Sequence, residues 1–264
     1  MGVACDRPQN LASPDKETIR AIFDSIAHRY DPINSLLSLS LDASWRRRAV
    51  RLILRDTRAT SILDLGVGTG KFLKRFLKAQ SWQLAVGVDF AGEMLSRAKK
   101  SLPPSCGLVQ ADIHDLPFED ESFDLVVSSF TLRSVRDRNP FFKEVERVLK
   151  PGGRVAFLCL TRPTSFWGKL VYAPYLKFYL PLIGGLIAKS PVAYRFLSDS
   201  IQAFPPPREI GKELEASGFR GVSLFPFTFG ISTLILAQSP SLIVSLKGSG
   251  QSLRDSPCGG GDDT

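Results

Sequence analysis

The chain has few residues that bind metal ions or form disulfides. Its 264 residues include only two histidines, which excludes a histidine-rich metal site, and we expect no bound metal. The four cysteines are widely scattered, so the sequence predicts no disulfide framework, as is typical of a reducing compartment. Residues 1–14 lack the long apolar core of a secretory signal. We therefore expect a cytoplasmic protein.

The chain also lacks a long uninterrupted apolar run. Residues 221–246 carry no charge and would be long enough to span a bilayer. Prolines, glycines and polar residues divide them into the short runs 222–227 and 231–237, which predict a terminal β-hairpin. A second apolar segment, residues 178–188, is too short to span a membrane.

Acidic residues are outnumbered by basic ones. Lysine and arginine number 34 against 26 aspartate and glutamate residues, which gives a net charge of +8. The densest basic stretch, residues 45–58, would present a stripe of arginines on a helix. Two interpretations stay open, a solvated helix face and peripheral contact with the inner surface of a membrane. No RNA-binding module accompanies the charge, so we expect no nucleic-acid partner.

Apolar runs alternate with helical periodicity through the middle of the chain. This alternation predicts an α/β fold, a Rossmann-like and mostly parallel sheet with helices on both faces. Strands are expected at residues 61–65, 84–88, 107–110, 123–129 and 154–160. Helices are expected at residues 15–29, from 34 or 42 to 55, and at 71–79, 92–101, 140–149 and 207–217.

Composition changes at both ends of this pattern. We expect residues 1–14 to be a flexible segment and residues 15–238 to form one domain, which begins with helices over residues 15–58. Residues 161–204 are rich in Tyr, Phe, Leu and Pro, which favours an apolar cover over a lipophilic ligand. The alternative is an extra helix packed on the core. Residues 239–264 have little hydrophobic content and are predicted to be disordered.

The most informative segment is residues 62–71, Ile-Leu-Asp-Leu-Gly-Val-Gly-Thr-Gly-Lys. An apolar strand runs into three alternate glycines, Gly66, Gly68 and Gly70, and a helix follows at once. Glycine allows positive φ angles and has no Cβ to hold a ligand away from the backbone amides. Asp89 ends the next apolar run, where a carboxylate can accept hydrogen bonds from both hydroxyls of a ribose. The combination predicts a nucleoside site.

Two details of this segment favour one nucleoside cofactor. In the dinucleotide fingerprint the third glycine lies one residue later, and a pyrophosphate binds at the helix N-terminus. The carboxylate of Asp64 would repel a pyrophosphate but could bind an ammonium group, directly or through water. S-adenosylmethionine carries an adenosine, a sulfonium and an ammonium, so we expect this cofactor. The alternative is a turn that only connects a strand to a helix.

Polar residues also follow the later strands. Asp112 or the adjacent amide of Ile113 could recognise the adenine amino group at the end of the third strand. Ser129 ends the fourth strand, next to the first strand, where we expect the strand order to reverse. Arg133 follows on the loop, where an arginine could stabilise an oxyanion of the substrate; the alternative is a surface arginine.

Several of these segments resemble class I S-adenosylmethionine methyltransferases. The resemblance rests on residues 62–71, Asp89, residues 110–118, Phe123-Asp124, Leu132-Arg133 and residues 148–153. Two flanking segments are more specific, because they resemble signatures of the UbiE/MenG quinone C-methyltransferases. They are residues 23–34, Phe-Asp-Ser-Ile-Ala-His-Arg-Tyr-Asp-Pro-Ile-Asn, and residues 194–201, Tyr-Arg-Phe-Leu-Ser-Asp-Ser-Ile.

This resemblance covers about residues 17–237 and implies a seven-stranded sheet, parallel except for one antiparallel strand near its edge. It implies methylation of a ring carbon in a lipophilic quinol, either demethylmenaquinol, which we favour, or a ubiquinol precursor. The residues that it implies are Thr69, Asp89, Asp112 and Ser129 at the cofactor, and Arg133, Tyr30 and Asp31 at the substrate.

The chemistry of methyl transfer adds to this expectation. Transfer from a sulfonium is an in-line displacement, which a protein accelerates mainly by aligning the reacting atoms in a dry site. A ring carbon becomes nucleophilic when the adjacent hydroxyl is ionised, so we expect Arg133 to stabilise the oxyanion. The general base stays open among Asp31, Tyr30 and His28.

The chain departs from the usual family pattern at four positions. Lys71 stands where an acid usually follows the glycines, and Cys159 replaces an acid in the fifth strand. Ala173 replaces the Asp of a Tyr-Asp pair, and Phe204 replaces the His of a His-Pro pair. Two other functions therefore stay open, methylation of another lipophilic molecule and a non-catalytic cofactor-binding subunit. A homodimer also stays open.

Overall fold

A computed structural model describes residues 16–55, 57–163, 168, 170 and 200–240. The elements are α1 (Lys16–Leu37), α2 (Leu41–Leu54), β1 (Ser61–Leu65), α3 (Lys71–Ala79), β2 (Leu84–Asp89), α4 (Gly92–Ser101), β3 (Gly107–Gln110), β4 (Phe123–Ser129), α5 (Arg138–Val148), β5 (Leu149–Leu160), α6 (Pro207–Ala216), β6 (Arg220–Phe227) and β7 (Ser232–Gln238). The N-terminal segment, most of the expected cover with Ala173, most of the 194–201 signature and the tail beyond residue 240 lie outside the described residues.

Among the described residues, seven strands form one sheet in the order β3-β2-β1-β4-β5-β7-β6. Strands β1 to β5 are parallel, and β7 runs antiparallel to both β5 and β6. The expected α/β class and its terminal hairpin are therefore confirmed. Because β1 lies between β2 and β4, the strand order reverses at β1, and the carboxyl ends of these strands border a crevice.

The core lies on both faces of the sheet. All five residues of β1 are buried, as expected for an interior parallel strand. On one face, Phe141, Phe142 and Phe157 pack with ring centroids 5.5 to 5.8 Å apart. On the other face, Phe72 and Phe76 of α3 are almost completely buried. Each such side chain contributes roughly 1.5–3 kcal/mol through burial of apolar surface, so the core holds the strand ends in fixed positions.

The largest differences from the expected boundaries lie in α1 and β5. Helix α1 continues through Pro32 to Leu37, although we expected it to end at residue 29. A proline inside a helix removes one hydrogen bond, but contacts of Asp31 with the start of α3 hold the turn in place. Strand β5 begins at Leu149 rather than at residue 154, because Leu149 pairs with Phe123 across a register shift.

None of the helices in the described part of the chain is both long enough and apolar enough to cross a bilayer. The uncharged segment that begins at residue 221 forms β6 and β7, joined by a short turn at Thr228–Gly230.

Asp124 ties β4 to β1 at the amino edge of the sheet. Its carboxylate accepts hydrogen bonds from the backbone N–H groups of Thr60 and Ser61 at 2.8 and 2.9 Å, and Lys150 Nζ lies 2.8 Å away. Burial alone would raise the pKa of Asp124, but Lys150 and these donors outweigh it and hold the pKa well below its usual value.

Replacement of Asp124 with Asn should lower the free energy of unfolding by about 1–3 kcal/mol at pH 7, because Lys150 and the backbone N–H donors lose a charged acceptor. The folded-state pKa is depressed, so this stabilisation is present above the ordinary aspartate pKa and is lost as the pH falls towards the folded value. Urea unfolding at pH 7 and about pH 3 should show the difference between wild type and variant shrinking in acid.

The matched control is Asp120→Asn, which removes a more exposed carboxylate that pairs with Arg147. This control should change stability little, since exposed ion pairs contribute little. If the difference in unfolding free energy between wild type and Asp124→Asn stayed constant with pH, it would contradict a stabilising role for the charge of Asp124.

Candidate functional site

A cavity of about 740 Å³ opens at the carboxyl edge of the sheet, where the strand order reverses. Its size is typical of pockets that hold small-molecule ligands. The glycine loop after β1, the ends of β2 and β4, the loop after β3 and helix α1 all contribute to its wall. The sequence-predicted residues that line it are Tyr30, Gly66, Gly68, Asp89, Asp112, Ile113 and Ser129.

The glycine loop turns tightly over the end of β2. The N–H groups of Gly66 and Val67 donate to the Val88 carbonyl at 2.8 and 2.9 Å. Gly66 has a φ of 69°, and a Cβ at this position would collide with the Thr131 side chain. The loop therefore requires glycine at Gly66 for both its backbone conformation and its close approach to the residues after β4.

Asp89 holds this loop from the neighbouring strand. Its Oδ2 accepts a hydrogen bond from the Gly68 N–H at 2.8 Å, and its Oδ1 accepts one from the Ala91 N–H at 3.0 Å. Burial raises the pKa of Asp89, while these backbone donors oppose the rise. Each carboxylate oxygen can accept a further hydrogen bond, so Asp89 can bind hydroxyl groups of a ligand in the cavity.

Asp112 also lines the cavity, next to a histidine that we did not select from the sequence. His114 Nδ1 lies 2.8 Å from Asp112 Oδ1, and His114 Nε2 lies 3.1 Å from the Asp137 carbonyl oxygen. Both His114 and Asp137 line the cavity. The spacing Asp112-x-His114 could have indicated in the sequence that the two side chains pair. The structure shows this contact, through which His114 orients the carboxylate of Asp112.

Arg133 lies beside the cavity, on a short 3₁₀ turn at Leu132–Ser134. It donates a hydrogen bond to the Ser200 hydroxyl at 2.5 Å, while Thr131 and Ser134 line the cavity on either side of it. Burial lowers the pKa of Arg133, and Tyr30 acts in the opposite direction. The buried guanidinium has lost hydration, so an anion that binds near Tyr30 would stabilise its charged form.

Asp31 connects α1 to the glycine loop and does not line the cavity. Its Oδ1 accepts a hydrogen bond from the Thr69 hydroxyl at 2.9 Å and lies 3.3 Å from Lys71 Nζ. This contact gives Lys71 a structural role, because an acid at position 71 would stand next to Asp31 and repel it. The departure at Lys71 therefore leaves the loop intact.

Asp64 is fully buried beneath the first turn of α3, outside the cavity wall. Burial raises the pKa of Asp64 to about 8, although the positive charge of Arg46 opposes the rise. Burial thus favours the protonated carboxyl group of Asp64 over the carboxylate. The sequence-predicted residues that do not line the cavity are Asp31, Asp64, Thr69, Gly70 and Arg133.

Comparison with known sequences places the chain among methyltransferases. The model of the ubiE/COQ5 methyltransferase family matches residues 11–238. A demethylmenaquinone methyltransferase of Thermotoga maritima is 38% identical over 229 residues, which cover 86% of this chain and 98% of that protein. A ubiquinone/menaquinone biosynthesis C-methyltransferase UbiE of Syntrophotalea carbinolica is 41% identical over 224 residues, which cover 84% of this chain and 93% of that protein.

Solved structures support the fold. A S-adenosylmethionine-dependent methyltransferase from Thermotoga maritima has a TM-score of 0.60 at 21% identity, over 83% of this chain and 99% of that one. A putative methyltransferase of Haloferax volcanii, solved with the Trm112 activator, has a TM-score of 0.61 at 18% identity, over 84% of this chain and 97% of that one. These similarities confirm the class I methyltransferase fold.

The family match extends beyond the motifs that class I methyltransferases share. It begins before α1, includes the glycine loop and the cavity, and ends with the last strand of the hairpin. The curated relatives are 38 and 41% identical over more than four-fifths of the chain. The chain therefore belongs to the ubiE/COQ5 methyltransferase family.

Proposed function

We propose that the protein transfers the methyl group of S-adenosylmethionine to a ring carbon of a demethylated quinol, with demethylmenaquinol favoured. The observation that carries this proposal is the Asp89–Gly68 contact at the wall of a cavity of about 740 Å³, in a chain of this family. The names of the relatives described above favour menaquinone over ubiquinone, since menaquinone occurs in each of them and ubiquinone only in one.

The residues around the cavity fit S-adenosylmethionine. Asp89 would accept hydrogen bonds from the ribose hydroxyls, and Asp112 with the Ile113 amide would bind the adenine. A Cβ built on Gly68 meets no atom within 4 Å, so the space beside this backbone is open to the ligand. Bound S-adenosylmethionine supplies an electrophilic methyl group on a sulfonium.

In the proposed reaction the ring carbon forms a bond to the methyl group while the bond from methyl to sulfur breaks and leaves its electron pair on sulfur. The ring carbon then gives its proton to a base, directly or through water, and the ring becomes aromatic again. Arg133 would stabilise the quinol oxyanion that makes the ring carbon nucleophilic. The wall of the cavity would exclude water and hold the reacting atoms in line.

The position of the candidate bases favours Tyr30 for proton transfer. Tyr30 lines the cavity and influences the pKa of Arg133, so it stands where the oxyanion would form. Asp31 is engaged by Thr69 and Lys71, and His28 is exposed on α1. We therefore propose Tyr30 and Arg133 as the pair at the substrate end of the cavity.

The cysteines support a cytoplasmic location. Cys106 and Cys159 are free and buried, and burial raises the pKa of their thiols to about 11 and about 12. Protonated, buried thiols of this kind are typical of proteins in a reducing compartment.

Replacement of Gly68 with Ala should weaken binding of S-adenosylmethionine by about 10–100-fold, because the new Cβ would occupy ligand space. Gly68 has a φ of 55°, so the change should also destabilise the fold by about 1–2 kcal/mol. Gly221→Ala is the matched control, since Gly221 has a φ of 63° and likewise no atom within 4 Å of the built Cβ.

Calorimetric titration and urea unfolding of both variants separate the two effects. The two variants should lose similar stability, and only Gly68→Ala should lose affinity for the cofactor. Equal cofactor affinity in the two variants would remove Gly68 from the binding site.

Replacement of Arg133 with Ala should lower kcat by about 10²–10³-fold, because the oxyanion loses its cation. The KM for S-adenosylmethionine should change little, and the pH profile should move to higher pH, since the quinol hydroxyl would ionise less readily. Arg208→Ala, at an exposed arginine in the first turn of α6, is the control and should keep the wild-type rate. An unchanged pH profile in Arg133→Ala would remove Arg133 from this role.

The direct test is incubation of the purified protein with methyl-labelled S-adenosylmethionine and demethylmenaquinol under reducing conditions. Mass spectrometry should detect one labelled methyl group on the ring carbon. Cofactor binding without any methylated quinol would contradict the proposal, and turnover of a sterol or polyketide acceptor alone would favour a different lipophilic substrate.

A further inference from the structure

Two large apolar side chains are exposed on neighbouring turns. Leu39, between α1 and α2, is 57% exposed, and Phe229, between β6 and β7, is 61% exposed. The indole N–H of Trp45 in α2 donates to the Thr228 hydroxyl at 2.8 Å, so the start of α2 lies against the turn that carries Phe229. Leu39 and Phe229 therefore lie at the same end of the molecule.

The backbone at both positions is unusual for such residues. Leu39 has a φ of 52° and Phe229 a φ of 57°, in the left-handed region that glycine and asparagine adopt more readily. An exposed apolar side chain on a strained backbone contributes little to folding. Such a residue is therefore expected where it serves another purpose, such as contact with an apolar phase.

Helices α2 and α3, next to these turns, are strongly basic. Together they carry eight basic side chains and one acidic side chain, Asp42. The basic residues are Arg46, Arg47, Arg48, Arg51, Lys71, Lys74, Arg75 and Lys78. Within the part of the chain that the structure describes, Arg46 pairs with Asp42 and Lys71 pairs with Asp31, whereas the other six form no ion pair. The two helices thus present largely uncompensated positive charge.

The basic side chains of the two helices meet one another and reach the apolar turns. Burial lowers the pKa of Arg75, and the nearby charges of Arg47 and Arg46 lower it further, so α2 and α3 share one positive field. The guanidinium of Arg48 lies over the Phe227 ring, 4.8 Å from its centroid, two residues before Phe229. Positive charge therefore flanks the exposed apolar residues.

We propose that Leu39, Phe229 and the basic faces of α2 and α3 form a docking surface for an anionic lipid bilayer. Exposed apolar side chains enter the interface of a bilayer, and flanking lysines and arginines are attracted to anionic headgroups. A nucleic acid would also attract the basic residues, but it would give Leu39 and Phe229 no apolar phase to enter. The combination of both features favours lipid.

This surface lies close to the cavity. Phe130 lines the cavity, and its ring packs edge-on against Trp45 with the centroids 6.3 Å apart. Trp45 in turn contacts the turn that carries Phe229. Docking would therefore bring the cavity to the membrane surface, where a lipophilic quinol is dissolved; this consequence, unlike the docking itself, depends on the proposed function.

Vesicle co-sedimentation of the full chain tests the docking without any substrate. The vesicles contain either phosphatidylcholine alone or phosphatidylcholine with phosphatidylglycerol. The wild-type protein should bind the anionic vesicles, and high salt should weaken this binding because it screens the charges.

Two variants separate the two parts of the surface. The double variant Leu39→Asn with Phe229→Asn replaces both apolar side chains with asparagine, which tolerates the left-handed backbone. It should weaken binding about tenfold, because no apolar side chain enters the bilayer interface. Arg47→Gln with Arg51→Gln and Lys74→Gln should weaken binding about 100-fold, since each removes one attraction to the anionic surface. Unchanged affinity for S-adenosylmethionine would show that both variants are folded.

The controls make equivalent changes elsewhere on the surface. Leu84→Asn replaces a 44%-exposed leucine at the start of β2, on the opposite edge of the sheet. Lys99→Gln with Lys100→Gln and Lys212→Gln removes three exposed charges from α4 and α6. Both controls should bind anionic vesicles as the wild type does.

Several results would overturn the proposal. They are no binding to anionic vesicles, equal binding to neutral vesicles, and equal losses in the variants and their controls. Binding of duplex DNA that the triple glutamine variant loses, without any vesicle binding, would assign the basic faces to nucleic acid. Because no quinol is present, failure here is distinct from failure of the proposed methyl transfer.

Discussion

The contact between the carboxylate of Asp89 and the N–H of Gly68 is the interaction on which the candidate site depends. It joins the end of β2 to the loop after β1, and the same carboxylate also binds the N–H of Ala91 at the start of α4. Asp89 is only 6% exposed, so its charge must be satisfied by these donors or by a ligand. A change in the shape of the loop would break the contact with Gly68, so this hydrogen bond stabilises the observed conformation of the loop.

Helix α1 is attached to the same loop. Asp31 binds Thr69 and Lys71, and this attachment brings Tyr30 to the wall of the cavity. The candidate site thus combines strand ends and a loop of the sheet with a wall contributed by an added helix. Lys71, which departs from the usual family pattern, is part of this attachment, because its ammonium lies 3.3 Å from the carboxylate of Asp31.

Much of the sheet could be predicted because β1, β2 and β4 are mostly buried and therefore appear in the sequence as short apolar runs. Strands β1, β3 and β4 have the expected bounds, and β2 is one residue longer. The continuation of α1 through Pro32 could not be predicted, because contacts distant in the sequence stabilise it. The left-handed backbone at Leu39 and Phe229 also escaped prediction, since neither residue type signals such a turn. For the candidate site, the motif indicated that Gly68 and Asp89 line the cavity, but it could not show that Asp64 is buried outside the cavity wall.

The central claim is that this cavity methylates a quinol, and the quinones of a living cell report on it most directly. The chain would be expressed in a bacterial strain whose own quinone C-methyltransferase has been deleted, and the extracted quinones would be measured by mass spectrometry. The account predicts that demethylmenaquinone is replaced by menaquinone. A pool that stays demethylated, although the folded protein is present and binds S-adenosylmethionine, would contradict it.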